Sequence, residues 1–316
     1  MRPAVMLLLR ALIVLAAILA VMSCSSTTAP ATAPPPPRSA VLVGASDIAT
    51  CTSPATAATA RVLDTIPGTV FTAGDNLADT VASYANCFGP YWGRHMWRMH
   101  VTLGNRDYDR NSTATDAFDY FGDLAGPRGK GFYSFDLASW HVVVLNTSGH
   151  VDISANSEQL KWLRQDLALA AERNRIRNAS RNPRIAAPPM CTLALFHRRR
   201  FFQGAWGKAE SLKPLWDVLY GGGVEFVVNG QDRYYERYAL QDPSGVRDPV
   251  KGIRQFIVGT GGRWLEQLHQ PSPNVEVRDN TTWGVMKFTL DEGQYSWQFV
   301  PAAGGTFSDS GTGTCH

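Results

Sequence analysis

From residue 40 onward the chain is a series of short apolar runs, most of which stop abruptly at glycine, aspartate, asparagine or histidine. Ala40–Val43 runs into Gly44-Ala45-Ser46-Asp47, Thr69–Ala73 into Gly74-Asp75-Asn76, and Met99–Leu103 into Gly104-Asn105-Arg106-Asp107. Trp140–Leu145 stops at Asn146, Cys191–Phe196 at His197, and Val224–Val228 at Asn229-Gly230-Gln231-Asp232-Arg233. Further runs at Gln255–Val258, Val285–Leu290 and Tyr295–Val300 close the chain. Runs this short and this uniformly apolar predict strands buried on both faces. Between them, Leu160, Leu163, Leu167 and Ala170 share one face of a helix predicted from Ser157 to about Asn174, with Ser157 as its N-cap. Ala55–Thr65 and Leu212–Leu219 predict two more helices. Periodicity therefore predicts an α/β domain with a buried sheet and a strand-rich second half.

The chain is long enough, at 316 residues with 44% hydrophobic, to bury a large core, and too apolar to be disordered. Its formal charge is +3, and two of the positive charges, Arg2 and Arg10, precede the apolar run Ala11–Met22. That start reads as an export signal, shorter than the roughly 20 residues that span a bilayer. Without it the protein is nearly neutral, which excludes nucleic acid as the expected partner. Val21-Met22-Ser23-Cys24 resembles a bacterial lipobox. Residues 1–23 are then expected to be removed, with Cys24 lipidated and the protein held extracytoplasmically at a bacterial envelope; an ordinary secretory signal is the alternative. Ser25 to Ser39, with consecutive prolines at Pro34–Pro37, reads as a tether, so residues 24–39 link the anchor to a folded domain spanning 40–316. In an oxidising compartment Cys51, Cys87, Cys191 and Cys315 are expected to form disulfides rather than a thiolate metal site. Three pairings are possible; Cys51–Cys87 with Cys191–Cys315 is favoured because the first two follow the two earliest strand ends.

The polar residues at the strand ends form an ordered series: Asp47, then Gly74-Asp75, then Gly104-Asn105-Arg106-Asp107, then His197, then Gly230-Gln231-Asp232-Arg233. With Ser46-Asp47-Ile48-Ala49-Thr50-Cys51, Tyr234-Tyr235-Glu236-Arg237 and Phe256-Ile257-Val258-Gly259-Thr260-Gly261-Gly262, this order resembles the calcineurin-like metallophosphoesterases of the purple acid phosphatase type. The resemblance implies a four-layer α/β/β/α sandwich of two mixed sheets. It also implies a phosphoester hydrolase in which two metal ions hold an attacking hydroxide. Carried onto this sequence, it makes Asp47 a ligand of the first metal and Asp75 the bridge, with Asn105 and His197 on the second.

The sequence departs from that pattern where the chemistry is most demanding. Arg106 stands where the family has an acid histidine, Gln231 and Arg233 stand where it has two metal-binding histidines, and Ala78 stands where a tyrosine is expected. Gln231 offers only a neutral oxygen. Arg106 cannot act as an acid near neutral pH, although it can stabilise phosphate charge, and Arg233 is expected to stand roughly where the first metal would be. These replacements lead to a first reading of degraded hydrolysis, with a phosphorylated or anionic small molecule, or an unspecified protein partner, bound instead. The alternative is an active phosphomonoesterase or phosphodiesterase with one ion (Fe, Mn or Zn) at Asp75, Asn105 and His197.

Overall fold

The computed structural model describes residues 39–78, 83–179, 191–203 and 208–316. The expected signal peptide, the expected lipidation site Cys24 and nearly all of the expected tether lie outside them.

The apolar runs form strands β1 (Ala40–Ala45), β2 (Thr69–Thr72), β3 (Met99–His100), β4 (Tyr133–Leu137), β5 (Trp140–Val144), β6 (Cys191–Leu195) and β7 (Val224–Asn229). They continue with β8 (Tyr235–Tyr238), β9 (Arg254–Val258), β10 (Val275–Asp279), β11 (Gly284–Asp291), β12 (Gln294–Pro301) and β13 (Ser310–Thr314). One sheet has the order β13-β12-β11-β1-β2-β3 and the other β10-β8-β9-β7-β6-β5-β4. β1, β2 and β3 run parallel, as do β5, β6, β7 and β9, while the outer strands pair antiparallel. Both sheets are thus mixed.

The inner faces meet in a core of Leu42, Phe71, Trp140, Phe226, Phe256 and Phe288. Helix α1 (Pro54–Thr65), helix α2 (Tyr84–Cys87) and helix α3 (Thr115–Phe121) lie along the first part of the chain, and Leu63, Phe88, Phe118 and Phe121 join Val43 and Val70 in a second core. Helix α4 (Glu158–Ala179) and helix α5 (Lys213–Gly221) cover the second sheet, burying Leu160, Leu163, Leu167, Trp216 and Leu219. The result is the four-layer arrangement of helices outside two stacked sheets. Ser157 caps α4 through its hydroxyl, which accepts from Leu160 N at 3.2 Å. α4 is also fixed to the β4–β5 hairpin by buried His141, whose ring nitrogens each lie 2.8 Å from a carboxylate, Asp136 on one side and Asp166 on the other.

The disulfides are Cys51–Cys87 and Cys191–Cys315, with Cα atoms 4.7 and 6.0 Å apart. β3 is shorter than its apolar run because the next residue leaves the ladder: Val101 N donates to the Leu124 carbonyl at 2.9 Å. β4, β8, β10 and β13 were not expected as strands. β4 and β10 are edges with polar positions, and β13, Ser-Gly-Thr-Gly-Thr, has no apolar residue to mark it.

Candidate functional site

Parallel neighbours β1 and β2, and β6 and β7 opposite them, end at the same rim of the sandwich, which carries their following loops into contact. The contact demands glycine. A β-carbon at Gly104 would fall on the Asp75 carboxylate, and one at Gly74 (φ +91°) on the His197 ring. Asp47, Asp75 and Gln231 are themselves held at φ of 56°, 51° and 72°. Such non-glycine conformations persist only where the surroundings enforce them. The glycine before each polar residue, legible as a turn signal, is a clearance requirement.

The structure brings Asp47, Asp75, Asn105 and His197 to this rim. Asp47 and Asp75 are buried, and a single nitrogen of Arg263, Nη1, lies 3.3 Å from Oδ1 of Asp47 and 3.3 Å from Oδ2 of Asp75. Arg263 is only 2% exposed. Its backbone is fixed beside β1, with its N–H donating to the Asp47 carbonyl at 2.9 Å and its own carbonyl accepting from Trp283 Nε1 at 2.6 Å. Its guanidinium packs on the Trp264 ring, 4.7 Å from the centroid.

The cation expected between the carboxylates is therefore present, but it is Arg263 and not Arg233. Arg233 pairs with Glu266 and lies over the Trp264 ring, 4.6 Å from its centroid. Arg106 is likewise used differently from expectation. Its guanidinium pairs with Asp109 at 2.9 Å at the surface, whereas its backbone N–H donates to Asp75 Oδ1 at 2.9 Å. Gln231 gives its backbone N–H to Asp47 at 3.0 Å, and its side-chain oxygen accepts from Arg199 at 2.9 Å.

His197 is fully buried, with Nδ1 2.9 Å from the Ala73 carbonyl and Nε2 3.1 Å from Asp75 Oδ1. The Nδ1 contact is a hydrogen bond, whereas Nε2 is near Asp75 without hydrogen-bond geometry. Burial opposes a charge on the ring, but Asp75 and then Asp47 outweigh it and hold the pKa at about 9. Asp47 is pushed up to about 6 by burial and by Asp75, against the pull of His197 and Arg263. Burial would also raise Asp75, but His197, the Arg106 N–H and Arg263 keep it below the ordinary carboxylate range. The two carboxylates thus lie against the Arg263 guanidinium and the His197 ring.

Asp107, the last residue of the Gly-Asn-x-Asp motif, does not point at this cluster. It accepts from Gly104 N, Asn76 N, Asn76 Nδ2, Leu77 N and the Tyr84 hydroxyl, and so fastens the β2 and β3 loops to each other. His95 pairs with Asp64 at 3.2 Å, His100 stacks on Phe135 and His150 on Tyr108. Arg263 was not picked out from the sequence, although the signal was there: a charged residue closing the glycine-rich turn Gly259–Gly262 directly after a buried strand.

No protein-family profile matches the chain, and no curated protein matches it. Solved structures do. A purple acid phosphatase from yellow lupin, Lupinus luteus, superposes with a TM-score of 0.63 at 16% identity, over 87% of this chain and 53% of that one. This chain therefore spans about half the length of the lupin protein. It has the metallophosphoesterase fold. GAP50, described as the anchor in the inner membrane complex of Plasmodium, matches with a TM-score of 0.61 at 11% identity over 89% of this chain and 90% of its own. PhoD matches with 0.55 at 12% over 88% and 70%.

The metallophosphoesterase fold implies a di-metal centre, and the donors present here do not fit one. The first position holds the Arg263 guanidinium, has lost both expected imidazole and phenol donors to Arg233 and Ala78, and is left with Asp47 and the bridge. Among the described residues no cluster of three or more histidine, cysteine, aspartate or glutamate side chains is placed to hold an ion. The second position keeps Asp75, Asn105 and His197. Two atoms there are unsatisfied: Asn105 Oδ1 and His197 Nε2 are buried with no hydrogen-bond partner.

Proposed function

We propose that this protein is a metallophosphoesterase-fold lipoprotein, exported and anchored through Cys24 at a bacterial envelope, in which di-metal phosphoester hydrolysis has been lost and the rim of the sandwich binds a phosphorylated or anionic small molecule or a protein partner. The observation that carries this reading is Arg263 Nη1 at 3.3 Å from both Asp47 and Asp75. Two carboxylates that would share a metal are neutralised instead by a permanent organic cation, which can neither activate water as a Lewis acid nor leave without exposing two buried charges. Arg106 is the most accessible cation of the rim, and Arg233 adds a second beside Trp264. Guanidinium is the group best suited to binding phosphate in two-pronged fashion. GAP50 lends support, as a protein of this fold described by its anchoring role.

A second reading is favoured by the unsatisfied Asn105 Oδ1: one ion held by Asp75, Asn105 and His197. When bound, such an ion would act as a Lewis acid toward a phosphoryl oxygen. His197 would have to give up its Nε2 proton to bind it, while its Nδ1 bond to the Ala73 carbonyl would fix the ring.

Elemental analysis of the full chain purified in detergent, run beside hydrolysis of an aryl phosphate with added Mn, Fe and Zn, separates the two. Metal-free, inert and folded protein supports the first reading. One equivalent of metal with turnover that Asp75→Asn abolishes replaces it by the second.

A further inference from the structure

The two sheets have four edges, and three of them are closed to further strand pairing. β3 is only two residues long, and of the Val101 groups that follow it the N–H is shared between the Leu124 carbonyl and the Tyr133 hydroxyl and the carbonyl accepts from Tyr133. β10 carries Glu276, Arg278 and Asp279 and breaks register between Val275 and Val277. β4 carries Asp136, tied to His141 and Arg173. Short strands, charges and irregular register are the usual devices that stop edges from pairing with other chains.

β13 has none of them. Its five residues, Ser310-Gly311-Thr312-Gly313-Thr314, carry no charge and no proline, and they pair with β12 in unbroken register. Phe299 N donates to the Asp309 carbonyl at 2.8 Å and Cys315 N to the Gly293 carbonyl at 2.9 Å. Antiparallel ladders alternate, so residues 309, 311, 313 and 315 bond inward to β12. The N–H and C=O groups of Ser310, Thr312 and Thr314 consequently point out of the sheet, and among the described residues no strand pairs there.

This edge is also rigid. Cys315 is joined to Cys191, His316 Nδ1 lies 2.6 Å from Glu225, and Asp309 receives the Tyr235 hydroxyl at 2.6 Å and Arg237 at 2.8 Å. On the inner face Gly311 and Gly313 lie flat on Trp297 and Tyr295, where a β-carbon would strike the rings. A preordered edge pays little entropy on pairing.

We propose that β13 is a strand-pairing surface, and that its occupant is β13 of a second copy of this chain, antiparallel about a two-fold axis through Thr312. The pattern is self-complementary. Thr312 faces its own copy and Ser310 faces Thr314, so outward N–H and C=O groups meet in register, hydroxyl side chains pair across the junction, and no like charges oppose. The two six-stranded sheets become one continuous sheet. Five residues bury little area, so the association is weak in dilute solution and strengthens where chains are concentrated.

Cross-linking of the full chain in detergent tests the register. Directly opposed residues in such a pair have Cα atoms about 5.5 Å apart, inside the range a disulfide bridges. Thr312→Cys should oxidise to a covalent dimer, Ser310→Cys alone should not, and the double variant Ser310→Cys/Thr314→Cys should. Thr312→Pro removes an outward N–H without touching the β12 ladder, and Thr312→Lys places like charges at the axis; both should abolish the dimer seen by sedimentation at high concentration. Equal cross-linking of Ser310→Cys and Thr312→Cys, or a dimer that survives both Thr312→Pro and Thr312→Lys, would overturn the proposal. So would protection of the Ser310, Thr312 and Thr314 amides from hydrogen exchange in a strictly monomeric sample, which would assign the edge to another segment of the same chain.

Discussion

Replacing Arg263 by methionine keeps an unbranched stem against Trp264 but removes the cation between Asp47 and Asp75. Each carboxylate lies 3.3 Å from the guanidinium nitrogen, and at an effective dielectric constant of about 20 one such contact is worth roughly 5 kcal/mol before desolvation is subtracted. Breaking a buried ion pair from one side costs about 3–5 kcal/mol in practice. The cost should depend on pH, because the stranded pair can relieve itself by taking up a proton. Asp47 already has a pKa of about 6 in the fold, against 3.8 for an ordinary aspartate, and loss of Arg263 moves it further up. A carboxyl group whose pKa is raised by folding holds a proton that the unfolded chain releases, so stability falls as pH rises between the two values, by about 1.4 kcal/mol per pH unit. Arg263→Met should therefore be nearly as stable as wild type at pH 5 and lower in Tm by about 10 °C at pH 8. Manganese or zinc should then stabilise the variant, by about 2.7 kcal/mol at one hundred times Kd, and leave the wild type unchanged. Thermal melts at the two pH values, with and without metal, give all four numbers. An equal loss at pH 5 and pH 8 would mean that Arg263 serves packing alone, and metal stabilisation of the wild type equal to that of the variant would refute its role as the resident cation.

The wild type has its own pH signature. His197 titrates at about 9 in the fold against an ordinary 6.5, so its contribution is complete below 6.5 and is lost as pH rises toward 9; His141, raised because hydrogen bonds to Asp166 and Asp136 outweigh its burial, acts in the same direction. Urea midpoints should fall from pH 6.5 to pH 9, and His197→Gln should flatten most of that slope. Asp107→Asn sets an amide N–H₂ against donors that now meet a carboxylate, and a loss of about 2–4 kcal/mol in urea unfolding is expected, with a difference below 1 kcal/mol counting against the role of Asp107 in joining the β2 and β3 loops. Replacing Cys51 and Cys87 by serine should cost about 2–4 kcal/mol, whereas reduction that leaves the melting curve in place would show that the burial of Cys87 and Phe88 already fixes that segment.

The glycines of the rim show where reading of the sequence reached its limit. Gly74 and Gly104 were legible as turns after buried strands, because a strand covered on both faces must end where its backbone can reverse. That they are glycine because Asp75 and His197 arrive from other strands could be seen only once those strands were packed side by side. His141 was equally hidden, since its partners lie five residues before it and twenty-five after it, on a hairpin and a helix that only the fold brings together.

By itself the sequence determined the nine apolar runs that become buried strands and the polar residues at their ends, but not the polar strands β4, β8, β10 and β13, since burial of short apolar runs and the turn chemistry that stops them are local properties. It also told against a normal metal centre, because arginine and glutamine cannot replace imidazole wherever they sit. The tertiary structure alone decided which arginine neutralises Asp47 and Asp75. Both Arg233 and Arg263 follow buried strands, but Arg263 is hydrogen-bonded along the end of β1 while Arg233 has Glu266 beside it. A buried charge goes to the nearest opposite charge it can reach, and that distance is set by packing between segments far apart in the chain.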